Sequence, residues 1–204
     1  STSNMVSTSG NQGTVYYALG TQLTASNYTT SGSTTVPTAS GRNQGSYVVY
    51  YYVAGNNNYN PSSGSVTTSI ARTTGSVTLK PTSGSVAYGT AQATFQATGT
   101  GTLSVSDDNS TATSSISGST VTIGNIGSLS AGTTIKVTVT AAQSTNYNAA
   151  SATYTLTITK ANNPVSVTAN TGIKYGASTA LVTTKNAQGT VYYALGTQLT
   201  ASNY

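Results

Sequence analysis

The sequence predicts an all-β fold in which β-sandwich modules follow one another along the chain. Three observations predict it: a long internal repeat, short segments in which polar and apolar residues alternate, and a composition rich in strand formers. Of the 204 residues, 36% are hydrophobic. The strand formers Val, Thr and Tyr are frequent in the sequence. Only 4% are charged, against roughly 25% in ordinary domains, so hydroxyl and amide groups are expected to form the surface.

The long repeat relates the two ends of the sequence. The residues Gln12–Tyr28 return unchanged as Gln188–Tyr204, 176 positions later. The sequence therefore holds one period of 176 residues and the first 28 residues of the next period. Met5 is internal to this pattern, and we expect the chain to be a window on a longer array of repeats.

A shorter and more diverged period lies inside the long one. The segment SYVVYYYVAGNNNYN ends at Asn60, and the segment TIKVTVTAAQSTNYN ends at Asn148, 88 positions later. Each long period therefore contains two related modules. We predict an incomplete module over 1–72 that lacks its first strand or strands, a complete module over 73–162, and the start of a further module over 163–204.

Six segments of the complete module alternate as half-buried strands do. In the fifth of them, Ile135, Val137 and Val139 share one face, and Lys and Thr residues share the other. The segments are VTLK (77–80), QATFQAT (92–98), TLSVS (102–106), STVTIG (119–124), TIKVTVTA (134–141) and ATYTLTITK (152–160). About seven strands in a module of this size predict a β-sandwich of immunoglobulin type.

The segment Tyr47–Val53 differs from these strands, because both of its faces are apolar or aromatic. We predict that Val15–Leu19 pairs with it in the sheet. The candidate interface aromatics of the two segments are Tyr16, Tyr17, Tyr47, Tyr50, Tyr51 and Tyr52. Two interpretations stay open: a central strand whose tyrosines pack at the rim of the sandwich, or an aromatic surface for a neighbouring module, a neighbouring chain or a sugar.

Several short motifs follow the pattern of a known family. The matching pieces are Tyr175–Gly176, Gly189–Ala194, Val36–Ala39, Gln44–Val53, Asn58–Asn60 and, in the second module, Ala131–Ala161. They resemble the tandem bacterial immunoglobulin-like repeats (Big/MBG type) of large cell-surface adhesins and extracellular fibres. The resemblance covers nearly the whole chain and implies a stalk or filament outside a bacterial cell. Such repeats usually carry more charge, so the surface here is unusual, as a glycosylated surface would be.

The residue types that enzymes use for acid–base, nucleophilic or metal chemistry are nearly absent. The sequence has no His and no Cys, and its acids are Asp107 and Asp108 alone. These two are neighbours in a turn-like segment, and a calcium ion would need more carboxylates than they offer. We therefore predict no enzymatic activity, no catalytic or metal site, and no cofactor.

Two Asn-X-Ser/Thr sequons make Asn27 and Asn109 candidate N-glycosylation sites. The hydroxyl-rich segment Thr29–Thr35 is a candidate for O-linked sugars. Glycans are therefore one candidate partner. They also give the alternative function, a lectin-like surface module in which exposed tyrosines stack on sugars.

The basic residues predict no nucleic-acid partner. There are 7 of them, giving a net charge of +5, and no two are adjacent, so they form no basic footprint. The sequence has no apolar run of about 20 residues, so we predict no membrane span in this segment. The lack of Cys excludes a disulfide framework but does not exclude secretion.

The repeat favours a structural function in an extracellular filament, stalk or adhesin at the bacterial cell surface. The segment Asn163–Gly176 is the counterpart of an opening segment, Ser76–Gly89, that 1–72 lacks. We expect such a segment from an adjoining copy of the repeat to complete 1–72. The copy could belong to one long chain, which the verbatim repeat favours, or to a separate subunit that exchanges a strand.

Overall fold

The structure is a computed structural model that describes residues 3–204 and is almost entirely β. One short helix, α1, spans Tyr28–Ser31. The strands are β1 (Val15–Leu19), β2 (Gly45–Val53), β3 (Ser62–Ile70), β4 (Val77–Lys80), β5 (Ser83–Ala87), β6 (Ala93–Gly99), β7 (Leu103–Asp107), β8 (Thr113–Ser117), β9 (Thr120–Gly124), β10 (Thr134–Ala141), β11 (Ala150–Thr159), β12 (Ser166–Ala169) and β13 (Val182–Lys185).

The second module is a complete β-sandwich of immunoglobulin type. One sheet has the strand order β5-β11-β10-β7, and the other has the order β4-β6-β9-β8. All neighbours are antiparallel except β5 and β11, which run parallel. The six segments predicted from alternation are all strands, and β5 and β8 are two further strands. The all-β fold class is therefore confirmed.

The core of this sandwich comes from the alternation along its central strands. Ile135, Val137 and Val139 of β10 are completely buried, and Lys136 between them is exposed. Phe95 of β6 stacks on Tyr154 of β11, with ring centroids 4.0 Å apart and planes 7° from parallel. Because Phe95 and Tyr154 belong to different sheets, this pair joins the two layers, and each ring adds apolar burial worth about 25 cal/mol per Å².

Burial raises the pKa of the Tyr154 hydroxyl above its ordinary value of 10.0. The folded state therefore keeps the proton at pH values where the unfolded state has released it, and stability falls as pH rises above about 10. We expect Tyr154→Phe to flatten this alkaline loss, measured by denaturant unfolding between about pH 8 and pH 11. Tyr88→Phe, at an exposed ring, is the control. If stability falls with pH as steeply in Tyr154→Phe as in the natural protein, burial of Tyr154 is not the cause of the alkaline loss.

The first module contains one sheet of three strands, in the order β1-β2-β3. The predicted pairing of Val15–Leu19 with the tyrosine strand is confirmed, and Val15 lies opposite Val53. In the second module Leu103 lies opposite Ala141, each 88 positions later, so β1, β2 and β3 correspond to β7, β10 and β11. On the side where the second sheet of a sandwich would lie, the described residues make isolated backbone hydrogen bonds. In one of them the Met5 N–H donates to Pro37 O at 2.8 Å.

The outer face of β2 is covered by the loop that contains α1. Tyr28 stacks on Tyr52 with ring centroids 4.6 Å apart, and Tyr16 meets Tyr28 edge-on at 4.9 Å. Leu23 and Ala18 are buried beside Tyr52 in the same cluster. This loop therefore accounts for one apolar face of the tyrosine strand, and the other face contributes Val49 to a small cluster with Val15 and Tyr17.

Candidate functional site

The core-facing side of the first module forms an open groove. It lies over β1, β2 and β3 and has a volume of about 490 Å³, with a second cavity of about 960 Å³ beside it. The apolar and aromatic side chains common to both cavities are Val6, Val15, Tyr17 and Val66. These are the residues that a second sheet would cover in a complete sandwich.

The second module shows what is missing over this groove. Tyr154 of β11 is only 3% exposed, whereas Val66, its counterpart 88 positions earlier on β3, is 49% exposed. Phe95 covers Tyr154 from the opposite sheet. Gly84 of β5 approaches from the edge, so closely that a Cβ there would overlap the Tyr154 hydroxyl. Val66 has no equivalent cover among residues 3–204.

The free edge of β3 is the second part of the site. In the second module, β5 lies against the edge of β11 and pairs with Thr155–Thr159 in parallel. The corresponding stretch of the first module, 67–71, belongs to or directly follows β3, which pairs with β2 on its other side. Among residues 3–204 no strand pairs with this edge, so its backbone donors and acceptors can accept another strand.

Residues 3–72 contain no counterpart of β4, whereas 163–204 contains one. There β12 pairs antiparallel with β13, with Val167 opposite Thr184. This pair has the same place in the module order as β4 with β6. The strand β13, which pairs with β12, lies 176 positions after Val6–Ser9. Its counterpart in the first module is therefore the segment Val6–Ser9, which borders the open groove.

The unit 163–204 in turn lacks what the first module has. Val191–Leu195 has the same sequence as β1, yet it forms no strand. Tyr193 is 59% exposed, whereas Tyr17, the identical residue in β1, is 7% exposed. The difference arises because β1 is paired with β2, and no strand lies beside Val191–Leu195 in the described part of the chain.

The turn near the end of each identical segment keeps the same hydrogen bonds, although the strand before it forms in one copy alone. The Thr24 N–H donates to Asn27 Oδ1 at 2.7 Å, and the Thr200 N–H donates to Asn203 Oδ1 at 2.6 Å. The Asn amides each donate back to a Gln carbonyl five residues earlier. These turns therefore depend on local sequence, whereas the strand depends on a neighbour.

The six candidate interface tyrosines are distributed over both faces of the sheet. Tyr17 and Tyr52 are buried, and the other four are half-buried. Tyr17 and Tyr51 line the open groove, whereas Tyr52 and Tyr16 pack under the loop that contains Tyr28. They form no single exposed cluster, and their role in an interface stays a prediction. The strongly exposed tyrosines lie elsewhere, at 59, 88, 175, 192, 193 and 204.

Both candidate glycosylation sites are half-buried asparagines whose side chains already make hydrogen bonds. The Asn27 amide donates to Gln22 O at 3.0 Å. The Asn109 side-chain oxygen accepts the backbone N–H groups of Thr111 and Ala112 at 2.9 and 3.0 Å. A sugar on Asn27 would have to be accommodated beside the bond to Gln22, and glycosylation of either residue stays a prediction.

The two acidic residues support the turn that follows β7. Asp107 accepts the Ser114 hydroxyl at 2.5 Å, and Asp108 accepts the Lys136 backbone N–H at 2.8 Å. Across residues 3–204, no three His, Cys, Asp or Glu side chains are grouped as metal ligands. In the same range, none of the helical structure is long and apolar enough to cross a membrane.

A second contact region joins the first module to the second, and no sequence motif predicted it. The Gln44 N–H donates to Asn146 Oδ1 at 2.8 Å, and Asn146 Nδ2 donates to Asn43 Oδ1 at 2.9 Å. Arg72 Nε donates to Ser144 O at 3.0 Å. The loop Ser144–Asn148 between β10 and β11 therefore binds the end of the first module through amide and carbonyl groups.

Comparisons with known proteins add solved structures of low similarity. Domains 4 and 5 of the S-layer protein SbsC match at a TM-score of 0.35 and 19% identity, over 72% of this chain and 70% of that one. SbsC domains 1–6 match at 0.37 and 16%, over 85% and 28% of the two chains. The extracellular domain of protocadherin γB4 matches at 0.35 and 17%, over 81% and 30%.

These TM-scores and identities are too low to carry an argument about function, and the fold class depends on the strand order and register described above. The chain spans less than a third of the two longer structures. No protein-family model matches the sequence, and no curated protein does either. The resemblance to Big/MBG-type repeats therefore stays a prediction.

Proposed function

We propose that this chain is a structural repeat of a bacterial extracellular filament, stalk or adhesin, in which each incomplete module is completed by another copy of the repeat. One observation carries the proposal: the two incomplete units are complementary. The first has β1, β2 and β3 but lacks counterparts of β4 and β5 among its described residues. The unit 163–204 has the β12–β13 pair but lacks counterparts of β2 and β3.

The register of completion follows from pairs that already exist in the chain. Since Val167 lies opposite Thr184 in the β12–β13 pair, a donated copy of β12 would place Val167 opposite Thr8 of the first module. In the second module Val86 lies beside Ile158. The corresponding residues are Ile173 and Ile70, so the segment that follows β12 would run parallel to β3 along its free edge.

Burial of apolar surface favours this completion. Val66 is half exposed in the groove, and Val165 and Val167 are exposed at 41% and 51%. Pairing would remove all three from water, at about 25 cal/mol per Å² of apolar area. The same step would supply partners for the backbone groups on the edge of β3, which otherwise favour association with any strand that fits.

The donated segment belongs to the next repeat of one long chain or to a separate subunit. The mass of the native assembly after full denaturation decides between them. A species far above 20.5 kDa would mean one long chain, and collapse to that mass would mean subunits that exchange strands. The verbatim repeat of Gln12–Tyr28 favours the long chain. Carbohydrate binding gains no support from the six candidate interface tyrosines, because they are buried or half-buried.

A chain extended by a second copy of Thr29–Arg72 after Tyr204 tests the proposal. The appended copy supplies the counterparts of β2 and β3, so we expect Val191–Leu195 to become a strand. Amide exchange in that segment should slow by about 100-fold, equivalent to about 2.8 kcal/mol. The control carries the same 44 appended residues in scrambled order. Equal exchange in both chains would show that the complementary halves do not complete one another.

A further inference from the structure

The end of the second module that faces 163–204 carries a shallow cavity of about 620 Å³. Tyr88, Ala131 and Lys160 line it on the side of the second module, and we call these three residues the seat. All three are exposed. The remaining lining comes from Gly89, from the connecting segment Ala161–Pro164 and from Gln188. No loop between two strands occupies the seat in the described part of the chain.

The equivalent end of the first module is occupied. There the loop Ser144–Asn148 of the second module binds, with Asn146 bonded to Asn43 and Arg72 bonded to Ser144. Arg72, Ser144 and Asn146 are half-buried as a result. This occupied junction shows how a loop of this type joins the end of a module.

The internal repeat relates each residue of that junction to an exposed residue. Moving 88 positions relates Asn43 to Ala131, Arg72 to Lys160, Ser144 to Asn56 and Asn146 to Asn58. The loop Asn56–Asn60 also has the same internal geometry as its counterpart. The Asn56 N–H donates to Tyr59 O at 2.8 Å, and the Ser144 N–H donates to Tyr147 O at 3.0 Å. Lys160, Asn56 and Asn58 are exposed, unlike their half-buried counterparts.

We propose that the loop Asn56–Asn60 of another copy of the repeat docks in the seat. The Lys160 ammonium group donates to the Asn56 carbonyl, as Arg72 donates to the Ser144 carbonyl. Ala131 has no side-chain amide for Asn58, so the bond that Asn43 and Asn146 make in the first junction has no counterpart here. This junction therefore depends more strongly on Lys160 and on the ring of Tyr88. The inference rests on the proposed function, because the loop reaches the seat when another copy completes the unit 163–204.

Thiol crosslinking in the extended chain tests the docking. The natural sequence contains no Cys, so a short bis-maleimide reacts with introduced thiols alone. We expect Ala131→Cys together with Asn58→Cys in the appended copy to crosslink and to shift mobility on a denaturing gel. The positive control is Asn43→Cys with Asn146→Cys, whose side chains are bonded in the structure. The negative control replaces Ala131→Cys by Ser115→Cys, at an exposed position on β8.

A second measurement ties the crosslink to the seat. Lys160→Ala should slow crosslinking of the 131–58 pair several-fold, and Lys136→Ala, at an exposed lysine of β10, should leave the rate unchanged. If Val191–Leu195 gains exchange protection but the 131–58 pair behaves like the negative control, the docking is wrong and the proposed function stands. If neither protection nor crosslinking is found, both are wrong. An equal rate in the two lysine variants would also overturn the role of Lys160.

Discussion

Phe95→Ala is expected to destabilise the second module by about 3–5 kcal/mol. The Phe95 ring is 3% exposed and stacks on Tyr154 across the two sheets. Its removal leaves a cavity between the layers in addition to the loss of apolar burial, and the buried core around it, most of which is Val and Ile, contains no Met that could bend to fill the space. We would measure the change through amide exchange of β9 and β10 under increasing denaturant.

Tyr88→Ala provides the matched control for this substitution. Tyr88 is an aromatic residue of the same module, but about half of its surface is exposed. We expect its truncation to change the stability of the second module by no more than about 0.5 kcal/mol. Similar losses in the two variants would mean that the two sheets are not joined by a packed core of the kind described above.

The second large effect is expected at Tyr17, and Tyr193, the identical residue 176 positions later, is its matched control. Tyr17→Ala should destabilise the first module by about 2–3 kcal/mol, because the Tyr17 ring is buried against the sheet of β1 and β2. Tyr193→Ala removes the same side chain from the same local sequence, but its ring is exposed. We expect that variant to change stability by no more than about 0.5 kcal/mol.

Amide exchange of β2 reports on the first variant, and exchange of β12 and β13 reports on the second. Both tyrosines contact a Thr hydroxyl nine residues earlier, Thr8 in one copy and Thr184 in the other. That contact therefore cancels in the comparison, and the difference measures the contribution of strand pairing and burial. Equal losses at the two positions would be inconsistent with an unpaired Val191–Leu195.

Alternation predicted the central strands of the second module but missed its two weakest ones. β5 and β8 are small and polar, and each has one large apolar residue, Val86 and Ile116. A single apolar side chain cannot establish a period of two, so these strands depend on the sheets that they join. The pairing of β1 with β2 was predicted because both strands carry several apolar residues on each face.

The candidate site could be predicted in part. The sequence indicated that 1–72 lacks an opening segment, because the repeat places such a segment at Ser76–Gly89 and again at Asn163–Gly176. It did not indicate that Leu23 and Tyr28 would cover the outer tyrosines of β2, since nothing local links a loop to a distant strand face. It also could not predict that Val191–Leu195 would lack strand structure, because the identical residues of β1 are paired. The deciding factor is a neighbour far away in sequence.

The parallel pairing of β5 with β11 has a mechanical consequence for a module in the stalk or filament that we propose. Tension along the chain pulls β5 from the side where it begins and β11 from the side where it ends. Because the strands run in the same direction, this force pulls them past each other in opposite directions. It loads all the backbone pairs from Ser83–Thr155 to Ala87–Thr159 at the same time. The five pairs must yield together instead of separating one after another, so resistance to pulling depends on the unfolding rate of the whole row.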